Sequence, residues 1–202
     1  MQSLTVTSVS GGQMIRDADL PDVVAAAGKG EHWALTELYR AYQPPLLRFL
    51  KAQAPVAADD LASDVWLAVA RGLEAFVGDE AMFRGWLFTI ARHRLIDHHR
   101  RATRQRTDVV ASERLDTVDE RGLGGDPALE VLDRLGAQGA VDALVSELSS
   151  DQAEAVLLRV VGGLTVAETS RIMQRPPGAV RVLCHRALRR LAANYGEGAV
   201  AR

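Results

Sequence analysis

Arginine is concentrated in two stretches of this 202-residue sequence, and its planar guanidinium is well suited to bind phosphate and the edge of guanine. Seven arginines and a single acidic residue, Asp97, lie between residues 84 and 106. Six more arginines and no acidic residue lie between residues 171 and 190. Acidic residues dominate residues 59–80 and 108–154, so the formal net charge of −2 conceals a strong segregation. Two separate basic surfaces are typical of a protein that contacts nucleic acid at two points.

The first basic stretch has the periodicity of an amphipathic helix over residues 83–101. At 100° per residue, one broad stripe is apolar and is expected to face a core. Its members are Phe83, Trp86, Leu87, Ile90, Ala91 and Leu95. A single basic helix is more often an ordinary solvated surface, so the second basic stretch is what favours a nucleic-acid interface.

The second basic stretch follows two helix-start signals. Ser149 to Gln152 and Thr165 to Glu168 have the spacing of capping boxes. Residues 162–163, two glycines, are expected to end the first of these helices, and residues 174–176 are expected to turn tightly before Pro177 opens a last helix. In that helix Val180, Cys184, Ala187, Leu188 and Leu191 are expected to face inward. Arg181, Val182, His185, Arg186 and Arg189 are expected to face outward. Two short helices joined by a tight turn predict a helix-turn-helix.

The whole pattern predicts an all-α protein of two small helical domains joined by a flexible linker. We expect a disordered tail over residues 1–18, a first domain over 19–104, a linker over 105–127, a second domain over 128–194 and a short tail over 195–202. The linker prediction rests on lost periodicity and on Gly122, Gly124, Gly125 and Pro127. Within the first domain, the two prolines at 44–45 are expected to interrupt a helix that begins at Glu31. In the second, a helix is expected over residues 128–148.

Composition and motifs argue against several classes of protein. No apolar run approaches the roughly 18 residues that a membrane span needs, and no signal peptide is evident. A single cysteine, Cys184, excludes an internal disulfide and fits a cytoplasmic protein. No Gly-rich phosphate loop or catalytic constellation is evident, so we expect neither an enzyme nor a cofactor. His93, Asp97 and His98 lie on one helix beside many arginines, so we expect no metal site.

Both stretches resemble bacterial RNA polymerase sigma factors of the extracytoplasmic-function (ECF) type, over about residues 20–194. Residues 60–66 (DLASDVW) and 83–101 (FRGWLFTIARHRLIDHHRR) are similar to the family's region 2. Residues 164–170 (LTVAETS) and 178–187 (GAVRVLCHRA) are similar to its region 4. The sequence departs from the family pattern at Ser63 (usually Gln), at His93 (usually Asn) and at 182–183 (usually Ser-Arg).

The resemblance implies three functional surfaces. Core RNA polymerase would bind Asp60, Leu61, Ser63, Asp64 and Val65, although Leu61 and Val65 are equally the apolar face expected to pack in the core. Promoter opening at the −10 element would use Arg84, Trp86, Arg92, His93, Asp97, Arg100 and Arg101, of which Trp86 lies on the apolar stripe. The −35 element would be read in the major groove through Arg171, Arg175, Arg181, Val182, His185, Arg186 and Arg189.

The resemblance also implies an anti-sigma partner and a linker that enters the polymerase cleft. A rival interpretation is a helix-turn-helix repressor or activator that binds duplex DNA without polymerase. That interpretation accounts for residues 148–194 and leaves the block 86–101 without a role.

Overall fold

The computed structural model describes residues 20–107 and 147–195, and every regular element within these two ranges is helical. The predicted all-α fold is therefore confirmed for this part of the chain. The helix predicted over residues 128–148 and most of the predicted linker lie outside the described residues.

Four helices form the N-terminal unit: α1 (Leu20–Gly28), α2 (His32–Lys51), α3 (Ala58–Gly72) and α4 (Glu80–Thr107). A 3₁₀ turn, Leu73–Ala75, extends α3. The three long helices bury one side each, and side chains such as Leu38, Val65 and Leu87 have no exposed surface. Four aromatic rings lie at the end of the unit where α4 begins: Phe83 meets Tyr42, Phe76 and Trp86 at centroid distances of 5.1, 5.8 and 6.0 Å.

Helix α2 runs continuously through Pro44 and Pro45, so the predicted interruption is wrong. A proline inside a helix removes one backbone hydrogen bond and crowds the preceding turn. Here the residues directly after the pair are core residues, since Leu46, Phe49 and Leu50 are completely buried. The burial of these three side chains offsets the missing backbone hydrogen bonds, so tertiary packing outweighs the tendency of proline to break a helix.

Three helices form the C-terminal unit: α5 (Ser150–Val156), α6 (Val166–Met173) and α7 (Pro177–Tyr195). A π-helical segment, Leu157–Val161, continues α5. Both predicted capping boxes are present, with Ser149 and Thr165 accepting from the backbone N–H groups of Gln152 and Glu168. Gly163 has a φ of 62°, the left-handed conformation that the glycine pair predicts.

The two units pack against each other. The π-helical segment contacts α2, and α6 contacts α4. Their buried residues belong to one hydrophobic cluster that includes Phe88 from α4 and Leu158 and Leu164 from the C-terminal unit. The backbone at Gly162 comes so close to α4 that a Cβ there would lie 3.4 Å from the Phe88 ring. Phe88 lies outside the apolar stripe predicted for α4, and it is buried in this joint core.

Candidate nucleic-acid interface

An acidic, partly apolar face of α3 is exposed. Asp60, Ser63 and Asp64 are exposed, and Leu67, one turn further on, keeps 55% of its surface accessible. The positions i, i+3, i+4 and i+7 share one helix face. We call these four residues the α3 face. The sequence prediction omitted Leu67, although its spacing from Asp60 and Asp64 could have identified it.

Two residues predicted for this surface are buried in the structure. Val65 has no exposed surface and Leu61 is only 7% exposed, because both face α2 and α4 across the core. They support α3 from within, which is the alternative expected for both residues from their place on the apolar face.

Aromatic side chains border the α3 face. Tyr39 of α2 is 47% exposed and lies 5.2 Å from the ring of Trp66, measured between centroids. Trp66 donates its indole N–H to the Gln43 side-chain oxygen at 2.6 Å, which fixes the ring. The exposed surface here is therefore rigid as well as partly apolar, a combination that suits a protein partner.

The residues predicted for the −10 element fall into two groups on α4. His93, Arg100 and Arg101 are exposed, and Asp97 is half-buried. Trp86 is also half-buried and stacks on Phe76 with centroids 5.0 Å apart, so most of its ring is used for packing. Arg84 and Arg92 have a different environment, because both are held by other groups of the chain.

Arg92 makes an ion pair with Glu154 of α5. Its Nε lies 2.6 Å from Oε1, its Nη2 lies 3.5 Å from Oε2, and the two side chains are only 16% and 12% exposed. Arg84 donates from Nη1 to the Gly163 carbonyl at 3.0 Å and from Nη2 to Glu80 at 2.9 Å. Two of the four arginines predicted to contact the −10 element are thus bound to the C-terminal unit.

Tyr42 lies beside this contact. Its hydroxyl donates to Glu80 at 3.3 Å, and burial, followed by the Glu80 carboxylate, raises the pKa of Tyr42 from 10.0 to about 12. The phenol therefore keeps its proton, and its hydrogen bond to Glu80, at alkaline pH values where an exposed tyrosine ionises.

Helices α6 and α7 form a helix-turn-helix. Gln174 ends α6 in the left-handed conformation with a φ of 55°, and the Ser170 hydroxyl donates to the Arg175 carbonyl at 2.6 Å across the turn. Four predicted DNA-contacting arginines are exposed, and Val182 and His185 are half-buried. These arginines are Arg171, Arg181, Arg186 and Arg189.

Arg175 makes an ion pair within the C-terminal unit. Its Nη2 lies 2.5 Å from Oδ2 of Asp151 on α5, with 40% and 44% of the two side chains exposed. Leu183 is 5% exposed and packs inward beside the apolar stripe of α7. Cys184, predicted to point inward, is half-buried.

Within residues 20–107 and 147–195, no three His, Cys, Asp or Glu side chains come together in a group able to hold a metal ion. No helix in the same ranges is long and apolar enough to cross a membrane.

Comparison with known proteins agrees with this geometry. The family model "Sigma-70 region 2" matches residues 38–105, which include the α3 face and nearly all of α4. The model "Sigma-70, region 4" matches residues 138–191, which include the helix-turn-helix. We therefore refer to the N-terminal and C-terminal units as region 2 and region 4.

Individual relatives agree with the family models. The ECF RNA polymerase sigma factor BldN of Streptomyces coelicolor is 35% identical over 87% of this chain, which spans 65% of BldN. The ECF RNA polymerase sigma factor SigD of Mycobacterium tuberculosis is 31% identical over 91% of this chain and 87% of SigD. The sigma factor RpoE, solved in complex with the anti-sigma factor NepR from Bartonella quintana, has the same fold. The comparison of this chain with RpoE gives a TM-score of 0.58 and 23% sequence identity, and it covers 78% of this chain and 94% of RpoE. The chain belongs to the ECF RNA polymerase sigma factors.

Proposed function

We propose that this protein is an alternative sigma factor that binds core RNA polymerase, recognises the −35 and −10 promoter elements and promotes strand opening. The observation that carries the proposal is the presence of three distinct surfaces on one chain. They are the acidic α3 face, the arginine-rich helix α4 and the exposed arginines of the helix-turn-helix. A factor that bridges an enzyme and two DNA elements needs all three.

The α3 face is the proposed polymerase-binding surface. Asp60 and Asp64 supply negative charge for a basic partner, and exposed Leu67 supplies apolar area at the centre of the contact. A repressor or activator that binds only duplex DNA would use the helix-turn-helix and leave the α3 face without a role. The proposed function explains both surfaces.

Helix α4 is the proposed −10 surface. A melted strand needs a basic track for its phosphates and flat side chains on which its bases can stack. Arg100 and Arg101 supply exposed charge, and Arg92 adds charge only when its pair with Glu154 is broken. His93 supplies an exposed ring at the centre of the helix. Trp86 contributes chiefly by fixing the start of α4 against Phe76.

The helix-turn-helix is the proposed −35 reader. The first exposed arginine of α7, Arg181, lies near the N-terminus of that helix, the end that reaches base edges in the major groove. Arg171 on α6 and Arg175 in the turn are the proposed contacts to DNA phosphates. Control by an anti-sigma factor, a cytoplasmic location and action as an initiation factor without catalysis of its own complete the proposal.

Transcription tests the proposal directly. Purified core RNA polymerase and this chain are incubated with a pool of promoter fragments from the source genome, and run-off transcripts are sequenced. We expect initiation that resists heparin and depends on the chain, from templates that share two short motifs. Binding to duplex DNA with no association with core polymerase would instead establish the regulator.

A further inference from the structure

We propose that Asp151 on α5 is a positioning residue for DNA binding, which holds the Arg175 guanidinium where it can bind a DNA phosphate. Asp151 lies outside the helix-turn-helix and belongs to none of the three proposed surfaces. Its Oδ2 accepts from Nη2 of Arg175 at 2.5 Å. The inference rests on the proposed role of the helix-turn-helix as a DNA reader, and it adds to that role a residue that acts through Arg175.

Arg175 is held both at its backbone and at the end of its side chain. Its backbone N–H donates to the Ser170 carbonyl at 3.1 Å, and its carbonyl accepts from the Ser170 hydroxyl at 2.6 Å. Asp151 ties the guanidinium to α5, which packs against α7. The side chain therefore extends between two fixed points. The guanidinium has further N–H groups, which can donate to a phosphate while Asp151 keeps its own bond.

The start of α7 lacks the backbone donors that would otherwise bind a phosphate. The N-terminus of a helix ordinarily binds phosphate through backbone N–H groups that have no partner in the helix. Pro176 and Pro177, at the start of α7, have no N–H group. Both are exposed, and a Cβ added at Gly178 would meet no atom within 4 Å, so DNA can approach this end closely. Arg175, directly before the prolines, supplies the donors that the backbone lacks.

The Asp151 carboxylate has two opposite effects on a phosphate bound to Arg175. An exposed arginine samples many rotamers that a ligand must restrict on binding, and Asp151 restricts them beforehand. The same negative charge repels the phosphate. Loss of the charge alone would strengthen DNA binding, whereas loss of the fixed geometry would weaken it. The sign of the change in affinity therefore distinguishes a positioning residue from an ordinary surface acid.

The ion pair contributes little to folding, so Asp151 can be replaced without loss of the structure. The side chains of Asp151 and Arg175 keep 44% and 40% of their surface exposed, and water and salt screen a pair as exposed as this. The capping box of α5 is formed by Ser149 and Gln152 and does not involve Asp151. Asp151→Asn should therefore leave the midpoint of thermal unfolding nearly unchanged.

The test is a double-mutant cycle between Asp151→Asn and Arg175→Ala on the full-length chain. Filter binding measures the affinity for a duplex that carries the −35 motif and for an unrelated duplex. The matched control is a second cycle, in which Arg171→Ala takes the place of Arg175→Ala. Arg171 is also a proposed phosphate contact, but it is exposed on α6 and forms no ion pair within residues 20–107 and 147–195.

We expect Asp151→Asn to weaken binding about threefold on both duplexes, because a phosphate contact carries no sequence information. In the Arg175→Ala background, Asp151→Asn should no longer weaken binding. In the Arg171→Ala background it should weaken binding by the same factor as in the unchanged chain. Asp151→Glu, which keeps the carboxylate, should recover part of the loss.

The contrary outcomes are distinct. Unchanged or tighter binding by Asp151→Asn would overturn the inference, because Asp151 would then not position Arg175. An equal loss in the Arg175→Ala background would also overturn it, because Asp151 would then act independently of Arg175. If Arg181→Ala weakened binding and Arg175→Ala did not, the inference alone would fall and the proposed −35 reader would stand. If neither weakened binding, the proposed −35 reader would fail together with the inference.

Discussion

Replacing Leu67 by Ala should weaken binding of core polymerase while leaving the fold intact. Burying a leucine side chain completely contributes about 1.5–3 kcal/mol. Leu67 already buries nearly half of its surface within region 2, since 55% is exposed. A partner that covers the remainder therefore gains about 1 kcal/mol from this side chain, and its loss should raise the dissociation constant about fivefold.

The assay is titration of labelled protein with core RNA polymerase in the absence of DNA. Met82→Ala is the matched control, because Met82 is an apolar side chain with a nearly equal exposed fraction, 56%, at the start of α4. Its affinity should stay within error of the unchanged protein. Thermal unfolding should shift down by a similar small amount in both variants, since each side chain buries nearly half of its surface within the fold.

Charge and apolar area on the α3 face should respond differently to salt. Asp60→Asn combined with Asp64→Asn should reduce the association rate and flatten its dependence on ionic strength, because exposed charges steer encounter. Leu67→Ala should instead act on the dissociation rate at every salt concentration. Equal losses from Leu67→Ala and Met82→Ala would refute the assignment of the α3 face as the polymerase contact.

Three further predictions concern region 4 and the core. Arg181→Ala should weaken binding to the specific −35 duplex by about 1–3 kcal/mol and relax sequence specificity at one base position. Arg171→Ala should instead weaken binding to every duplex sequence and lower by about one the slope of log affinity against log salt concentration. Filter binding at several salt concentrations distinguishes the two effects. Thr169 is fully buried, and its hydroxyl has no hydrogen-bond partner among residues 20–107 and 147–195. Thr169→Val should therefore raise the free energy of unfolding by about 1 kcal/mol in a urea titration, whereas Thr169→Ser should lower it. Folding raises the pKa of the Tyr42 hydroxyl to about 12, so the unfolded chain loses this proton at a lower pH than the folded chain. The free energy of unfolding should therefore fall as the pH rises from 10 to 12. In Tyr42→Phe this part of the loss of stability at alkaline pH should be absent.

Local signals in the sequence predict much of the fold. The two capping boxes, the left-handed Gly163 and Pro177 at the start of α7 all depend on interactions within four residues. Such features can be predicted from neighbouring residues alone, and the structure contains all of them. The helix-turn-helix follows from them almost completely.

The continuous helix α2 shows where local signals fail. Two adjacent prolines ordinarily end a helix, and nothing within four residues of them predicts otherwise. The packing of Phe49 edge-on against Phe88, with centroids 5.4 Å apart, brings together residues that are distant in the chain. Contacts between residues so far apart in the sequence cannot be predicted from the residues that neighbour each of them.

Charge counting has the same limit, and the limit matters for function. The sequence predicts that α4 is basic, and seven arginines between residues 84 and 106 make that prediction secure. It does not predict which of those arginines a ligand can bind, because one of them, Arg92, is paired with Glu154, which lies 62 residues away in the sequence. An arginine paired with Glu154 and an arginine exposed to solvent are identical in a count, yet only the second binds phosphate without first breaking a bond. The free basic charge of α4 in this structure is therefore set by how region 4 packs against it.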